Sequence, residues 1–414
     1  MAYAFLNLGN AARFQGDLKQ AKILLEESLK LFREAGDKFG MSECLDPLAW
    51  LKRMEGDFDT AKALWEENLA LRKEIQDKDG IAHVLARLGR IAFLQDDLSR
   101  SVTNYEESLA VFREVGNEFA RGGMLEELAL VTRAQGNYEK ASKILEEGLA
   151  LGQDLGDKLW VSHWLRCLGG VAQSQGDYER ATRLYEEALI LAREMGDPDE
   201  ISDNLSGLGN VALAQGDYPK ATKQFEAELS LGRERKIDWI NAFALSRLGR
   251  VAWAQGDFEL ASKRLEEALT ISGEVGAKNN IGFALYYLGG VSLSQRDYAS
   301  ARAHYLESLA IARELGSRDG IASNLEALAT LFVAQSPMET SPLQFEDLLR
   351  ATHLFGVAEA LYPPLRFEMS ATERAKHDQA VAAAHAALNE KAFAAAWTEG
   401  QAMTIEQAIQ LALS

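Results

Sequence analysis

Six histidines, two cysteines and 62 carboxylates are the side chains from which this 414-residue chain could build a reactive centre. Their spacing argues against one. His83 and His163 fall at equivalent points of a 40-residue period, two periods apart. At about 10 Å per packed helix layer they stand roughly 20 Å from each other, too far for one metal ion. His377 and His385 are eight residues apart, or roughly 12 Å along a helix. Cys44 and Cys167 form no Cys-x-x-Cys pair and suggest no disulfide framework. They read as small core or groove residues in a reducing compartment. Adjacent glutamates such as Glu26-Glu27, Glu106-Glu107 and Glu186-Glu187 point in different directions around a helix and make no acid–base couple. They read as a solvated outer face. No phosphate-binding, dinucleotide-binding, nucleophile-elbow or zinc-protease motif occurs. The glycine pairs Gly122-Gly123, Gly169-Gly170 and Gly289-Gly290 sit within helical patterns, where they fit close packing. The expectation is a non-enzymatic protein with no catalytic residue, no metal and no cofactor.

The net charge of −18 excludes general binding to nucleic acid or an anionic membrane, since a phosphate footprint requires positive charge. The N-terminus carries no basic stretch followed by an apolar run. No segment approaches 18 uninterrupted apolar residues. The expected location is cytoplasmic.

The elements that would position a site come from an internal repeat. A 40-residue unit recurs eight times, marked by Gly16-Asp17-Leu18, Gly56-Asp57-Phe58, Gly136-Asn137-Tyr138, Gly176-Asp177-Tyr178, Gly216-Asp217-Tyr218 and Gly256-Asp257-Phe258. Degenerate copies stand at Asp96-Asp97-Leu98 and Arg296-Asp297-Tyr298. Slot 8 of the unit is always Leu, from Leu8 to Leu328, slot 5 is Leu in every copy except Phe5, and slot 9 is always Gly or Ala. Spacings of three and four place the apolar residues on one helical stripe, and the small residue beside the constant Leu admits a close partner helix. A second helix repeats the pattern at Ala21, Leu25 and Leu29. The Asp after the turn glycine is placed to cap that helix, and Gly36, Gly116, Gly156, Gly196, Gly276 and Gly316 are placed to end it in a left-handed conformation. The unit is therefore helix–turn–helix, and a fixed period of this length predicts an all-α stacked solenoid.

Leu208-Gly209, Gly216-Asp217-Tyr218, Ala221 and Phe225 resemble the tetratricopeptide repeat, in the 40-residue variety. The resemblance covers roughly residues 1–335, eight repeats and the start of a ninth, and implies a right-handed α-α superhelix with a C-terminal helical cap. Residues 336–414 form the second expected region. There the ninth turn is replaced by a loop from Ser336 to Pro342, a helix resumes near Phe345 and Pro363-Pro364 ends it. Capping boxes at Ser370/Glu373 and Thr404/Gln407 open two further helices. Leu354-Phe355-Gly356, Glu359, Phe393, Ala396-Trp397, Gly400, Thr404 and Glu406 resemble the C-terminal end of bacterial signal-transduction ATPase and LuxR-type regulators. That resemblance implies a sensor region working with an ATPase switch and a DNA-binding domain in cis or in trans. No phosphate loop or DNA-binding helix-turn-helix is present in this sequence. Because Met1 occupies slot 1 with no polar capping helix before it, either a preceding segment or a partner is expected to cover that end.

In tetratricopeptide arrays the first helix lines a concave groove, here through slots 3, 6, 7, 10 and 13. Those slots hold Arg13, Arg53, Arg87, Arg90, Arg133, Arg166, Arg247 and Arg250, with Trp50, Phe93, Phe243, Trp253, Phe283, Tyr286 and Tyr287. They also hold Glu43, Asp46, Glu126, Glu127, Asp203 and Glu326. The resemblance makes Trp50, Arg87, Arg90, Arg133, Arg166, Phe243, Arg247, Arg250, Trp253, Tyr286 and Tyr287 the candidate binding residues. Guanidinium groups beside aromatic anchors suit an acidic peptide or protein partner, held bidentately. Pairing of these arginines with neighbouring acids such as Glu126 and Glu127 is the alternative. Family members that hold C-terminal carboxylates use a Lys/Asn set that Asn10 and Arg87 match and Leu6 and Pro47 do not, so that partner is not expected. The expected function is a protein- or peptide-binding sensor module. A free-standing adaptor and a small-molecule sensor are the alternatives.

Overall fold

The computed structural model describes residues 1–336, 342–363 and 365–414, excepting the side chains of residues 342–344. All regular structure among the described residues is helical. The loop expected from Ser336 to Pro342 lies, apart from its ends, outside the described residues. The chain divides into two compact units, Met1–Leu151 and Gly152–Ser414.

The first unit contains α1 (Ala2–Phe14), α2 (Leu18–Ala35), α3 (Lys38–Met54), α4 (Phe58–Glu74), α5 (Lys78–Leu94), α6 (Leu98–Val115) and α7 (Glu118–Ala134), and ends within α8 (Tyr138–Asp154). The second contains α9 (Lys158–Ser174), α10 (Tyr178–Met195), α11 (Pro198–Gln215), α12 (Tyr218–Arg235), α13 (Asp238–Gln255), α14 (Phe258–Val275), α15 (Lys278–Ser294), α16 (Tyr298–Leu315) and α17 (Arg318–Gln335). It closes with α18 (Pro342–Leu361), α19 (Leu365–Glu368), α20 (Ala371–Ala387), α21 (Glu390–Gln401) and α22 (Ile405–Leu413). Helix α18 begins three residues before the expected Phe345, because Pro342 supplies a pre-set φ at the start of a helix, where its missing N–H is not needed.

The repeat signature acts as foreseen. Asp17, Asp57, Asp97, Asp177, Asp217, Asp257 and Asp297 each accept a hydrogen bond from the backbone N–H three residues on, as does Asn137. Twelve glycines take positive φ at the turns and helix ends. In four copies Gln76, Asp96, Lys236 and Arg296 hold the same left-handed position without glycine's freedom. Between the two helices of a repeat, Gly249 meets Leu265 so closely that a Cβ there would lie 2.7 Å from its Cγ. The slot-8 leucines are buried in the stack (Leu208 and Leu248 are each 3 % exposed), whereas Leu8, on the first helix, is 56 % exposed. The paired glutamates do face outward. They cross-link successive second helices, Arg33 to Glu67 at 2.8 Å, Arg100 to Glu66 at 2.9 Å and Lys140 to Glu106 at 2.7 Å.

Candidate functional site

Two walls of first helices present the inner slots, one in each unit, and they differ in what lies over them. On the first unit's wall, α1, α3, α5 and α7 leave slots 13 and 14 open to solvent in part or in full: Arg13, Arg53, Phe93 and Arg133 are half-buried, and Phe14 and Met54 are exposed. The Arg13 guanidinium stacks on Phe14 and Trp50, 4.5 and 5.1 Å from the ring centres. Arg90 lies over Phe93 at 5.7 Å and pairs with Glu127 at 3.2 Å, and Arg87 is 3.8 Å from Asp46. Asp46 also accepts the Trp65 indole N–H at 2.9 Å. Glu43 is drawn away to Arg72 on α4 at 2.7 Å. Arg13 and Arg53 have no carboxylate partner among the described residues. Burial, and then the like charges of Arg90 and Arg87, hold the Arg53 guanidinium below its ordinary pKa. Three arginines, Arg53, Arg87 and Arg90, therefore crowd one stretch of wall.

The second unit's wall, α9, α11, α13 and α15, is covered by this chain's own tail. Gln173, Leu213, Trp253, Ser174, Ala214 and Ala254, slots 13 and 14 of α9, α11 and α13, are all buried, and Leu293 and Ser294 of α15 are half-buried. Above them run α19 and the first half of α20. Glu373, at the third helical position of α20, reaches Arg250 at 2.8 Å and accepts the Tyr287 hydroxyl at 3.0 Å. Ser370 caps the helix by accepting the Glu373 N–H at 3.2 Å, and Glu373 accepts the Ser370 N–H at 2.6 Å. Arg250 also donates to the Glu368 carbonyl at 2.9 Å. Arg374 donates to the carbonyls of Met369 and Ala214, and Thr372 to that of Ala254 at 3.0 Å. Ala214 and Ala254 lie in the last turns of α11 and α13, where carbonyls lack intrahelical donors. Lys376 sits 4.1 Å above the Trp253 ring, and His377 meets Glu326 of α17 at 3.1 Å.

Sequence models described as tetratricopeptide repeat match residues 2–34, 121–194, 200–274 and 246–315, together more than half of the chain. The chain belongs to the tetratricopeptide-repeat family. Similar solved structures include the apo form of RapI, at 13% identity and TM-score 0.50, covering 66% of this chain and 98% of that one. BtubC from P. vanneervenii matches at 24% identity and TM-score 0.46, covering 52% and 91%. A signal transduction ATPase with numerous domains and a tetratricopeptide repeat sensor, from Pyrococcus horikoshii, matches at 13% and 0.45. The match covers 87% of this chain but only 52% of that protein. Identities this low speak to fold alone. No curated protein sequence matches.

Within this tetratricopeptide-repeat chain the candidate residues fall into three groups. Trp50, Arg87, Arg90 and Arg133 stand on the first wall. Arg250, Trp253 and Tyr287 are 7 %, 6 % and 4 % exposed beneath the tail, and Tyr286 stacks edge-on against Tyr287 at 4.9 Å. The groove at those residues is thus filled by the chain's own tail, whose carboxylate occupies the arginine. Arg166, Phe243 and Arg247 form a third cluster, already neutralised. Arg166 lies 3.7 Å from Glu200 and 3.6 Å from Asp203, and Arg247 lies over Phe243 and pairs with Glu228 at 3.1 Å. Glu228 is fully buried. It accepts from Ser202 and Ser206 at 2.8 and 3.0 Å, and burial pushes its carboxyl above the usual range. The sequence does mark it, since in Glu226-Ala227-Glu228 the second glutamate of the outward pair moves on by one slot. Among the described residues no helix is long and apolar enough to cross a membrane, and no group of three or more His, Cys, Asp or Glu could hold a metal ion.

Proposed function

We propose that this chain is a non-enzymatic protein- or peptide-binding module whose partner, an acidic polypeptide segment, lies along the inner wall of the first unit. The reading is supported most by the crowding of Arg53, Arg87 and Arg90 beside the part-exposed Trp50 and Phe93. Asp46 and Glu127 pair with Arg87 and Arg90, and Arg53 has no carboxylate partner among the described residues. A carboxylate-bearing segment would meet bidentate donors and aromatic platforms there, the side chains that most often carry interface energy. Tetratricopeptide repeats are in general interaction scaffolds, which agrees with the lack of any catalytic arrangement in the sequence. The tail residues that resemble those of bacterial signal-transduction regulators make the sensor part of such a regulator the proposed context. In that context a bound partner would shift the balance between two states of the larger assembly.

The test is capture of partners from cell extract by the native chain and by Arg53→Glu/Arg87→Glu/Arg90→Glu, with circular dichroism confirming the variant's fold. The reading expects a polypeptide held by the native chain and reduced about tenfold or more by charge reversal. Equal capture by both would overturn it.

A further inference from the structure

The tail over the second unit's wall is held in an uneven way. In its first stretch, residues 365–377, Leu365 and the buried Met369 add apolar contact, but the wall is met by a dense set of polar contacts: the Arg250–Glu373 pair, Tyr178 donating to the Phe367 carbonyl at 3.0 Å, Thr372 to Ala254, Arg374 to Ala214, and Lys376 to the Ser294 hydroxyl at 2.9 Å. From Ala380 onward the same helix joins apolar clusters, Ala380 with the α17–α18 core and Ala384 and Leu388 with Leu348. One end of α20 is thus anchored by the hydrophobic core. The other lies on a wall where hydrogen bonds and one buried ion pair join a cation–ring contact and a few apolar ones, a mixed interface chemistry typical of exchangeable partners more than of a permanent core.

The wall's recognition elements converge on α13. It offers Arg250 at slot 10 and Trp253 at slot 13, beside the slot-14 carbonyls of Ala214 and Ala254 on two successive repeats. The tail answers with a capped helix start, an acid at its third position and a base directly after it. We propose that this wall, α9 to α15, is a second peptide site specific for the capped first turn of an α-helix of the pattern Ser/Thr-x-x-Glu-Arg, that residues 365–377 are its resident occupant, and that a partner helix with that pattern takes the site by exchange at Arg250. The proposal extends the interaction-module reading above but rests on different residues. Failure here would leave the arginine cluster of the first unit untouched, and failure there would leave Arg250 and its occupant as they are.

The experiment uses the full chain and a fluorescein-labelled synthetic peptide of residues 365–388 as probe, read by fluorescence anisotropy. The resident tail competes at an effective concentration of millimolar order, so the unaltered chain should bind the peptide about 100-fold more weakly than a chain whose tail is loosened. Glu373→Ala/Arg374→Ala loosens it by removing its two principal contacts. Lys376→Ala/His377→Ala loosens it without stranding Arg250 and serves if the first variant unfolds. Hydrogen exchange over residues 370–377 reports release. Binding by a loosened chain, lost again on adding Arg250→Ala, is the expected result. No binding by a chain whose segment exchanges freely, equal binding by loosened and unaltered chains, or unchanged protection of residues 370–377 in both variants would each overturn the proposal.

Discussion

The guanidinium of Arg250 and the carboxylate of Glu373, 123 residues apart in sequence, meet at 2.8 Å with each side chain more than nine-tenths buried. Removing one partner of such a pair leaves the other charge desolvated and alone, which costs far more than the intact pair contributes. Glu373→Ala should therefore destabilise the second unit by about 3–5 kcal/mol, whereas Arg250→Met combined with Glu373→Leu should recover most of that loss. Urea denaturation of the three chains, followed by circular dichroism, checks the order. Equal losses for single and double variants would show that the pair is not coupled.

The same segment predicts a pH dependence with two limbs. Burial alone would raise the Glu373 carboxyl, but the charge and hydrogen bond of Arg250 and the Ser370 N–H outweigh it, and the group rests below its ordinary value. A depressed acid stabilises above its unfolded pKa of about 4.3 and loses that contribution as pH falls through the folded value. For His377 burial acts downward, but the hydrogen bond and charge of Glu326 prevail, with Asp378 adding and Arg366 opposing, so the imidazole rests above its ordinary value. A raised histidine contributes fully below about pH 6.5 and less as pH climbs through its folded value. The stability difference between the native chain and His377→Ala should shrink from pH 6 to pH 8 in thermal unfolding. A constant or growing difference would contradict the sign.

Helix α21 packs on α18 through two glycines. A Cβ on Gly356 would run into the Trp397 carbonyl, and one on Gly400 into that of His353. Backbone cannot yield as a flexible side chain can, so Gly356→Ala should destabilise by about 1–3 kcal/mol. Gly123→Ala, with nothing within 4 Å of the added atom, should be neutral or stabilise by about 0.5–1 kcal/mol through helix propensity. Denaturant midpoints of the two variants decide it, and similar losses in both would refute the packing account.

Lys236 holds a left-handed conformation at φ 58° where most repeats use glycine. Lys236→Gly should relieve about 1 kcal/mol of strain, seen as a higher denaturation midpoint. A lower midpoint would mean that the side chain's own contacts matter more.

The fold was legible because each repeat states it afresh: cap residues, turn glycines and the Leu–Gly stripe recur in register. The first wall's arginines were legible for the same reason. The tail's place was not, because nothing in the spacing of Ser370, Glu373 and Arg374 says which surface a capped helix start will meet. The capping box itself could be read. That its glutamate would also satisfy Arg250, and thereby bury Trp253 and Tyr287, depends on a long-range contact with no local signal. Glu200 and Glu228, which neutralise Arg166 and Arg247, were missed since both come from the neighbouring repeat.

The measurement closest to the central claim is hydrogen–deuterium exchange of the full chain with and without a captured partner. Binding on the first unit's inner wall predicts slowed exchange in α3, α5 and α7, with α4 and α6 unchanged. Protection confined to α4 and α6, the helices that carry the outward glutamates, would contradict it.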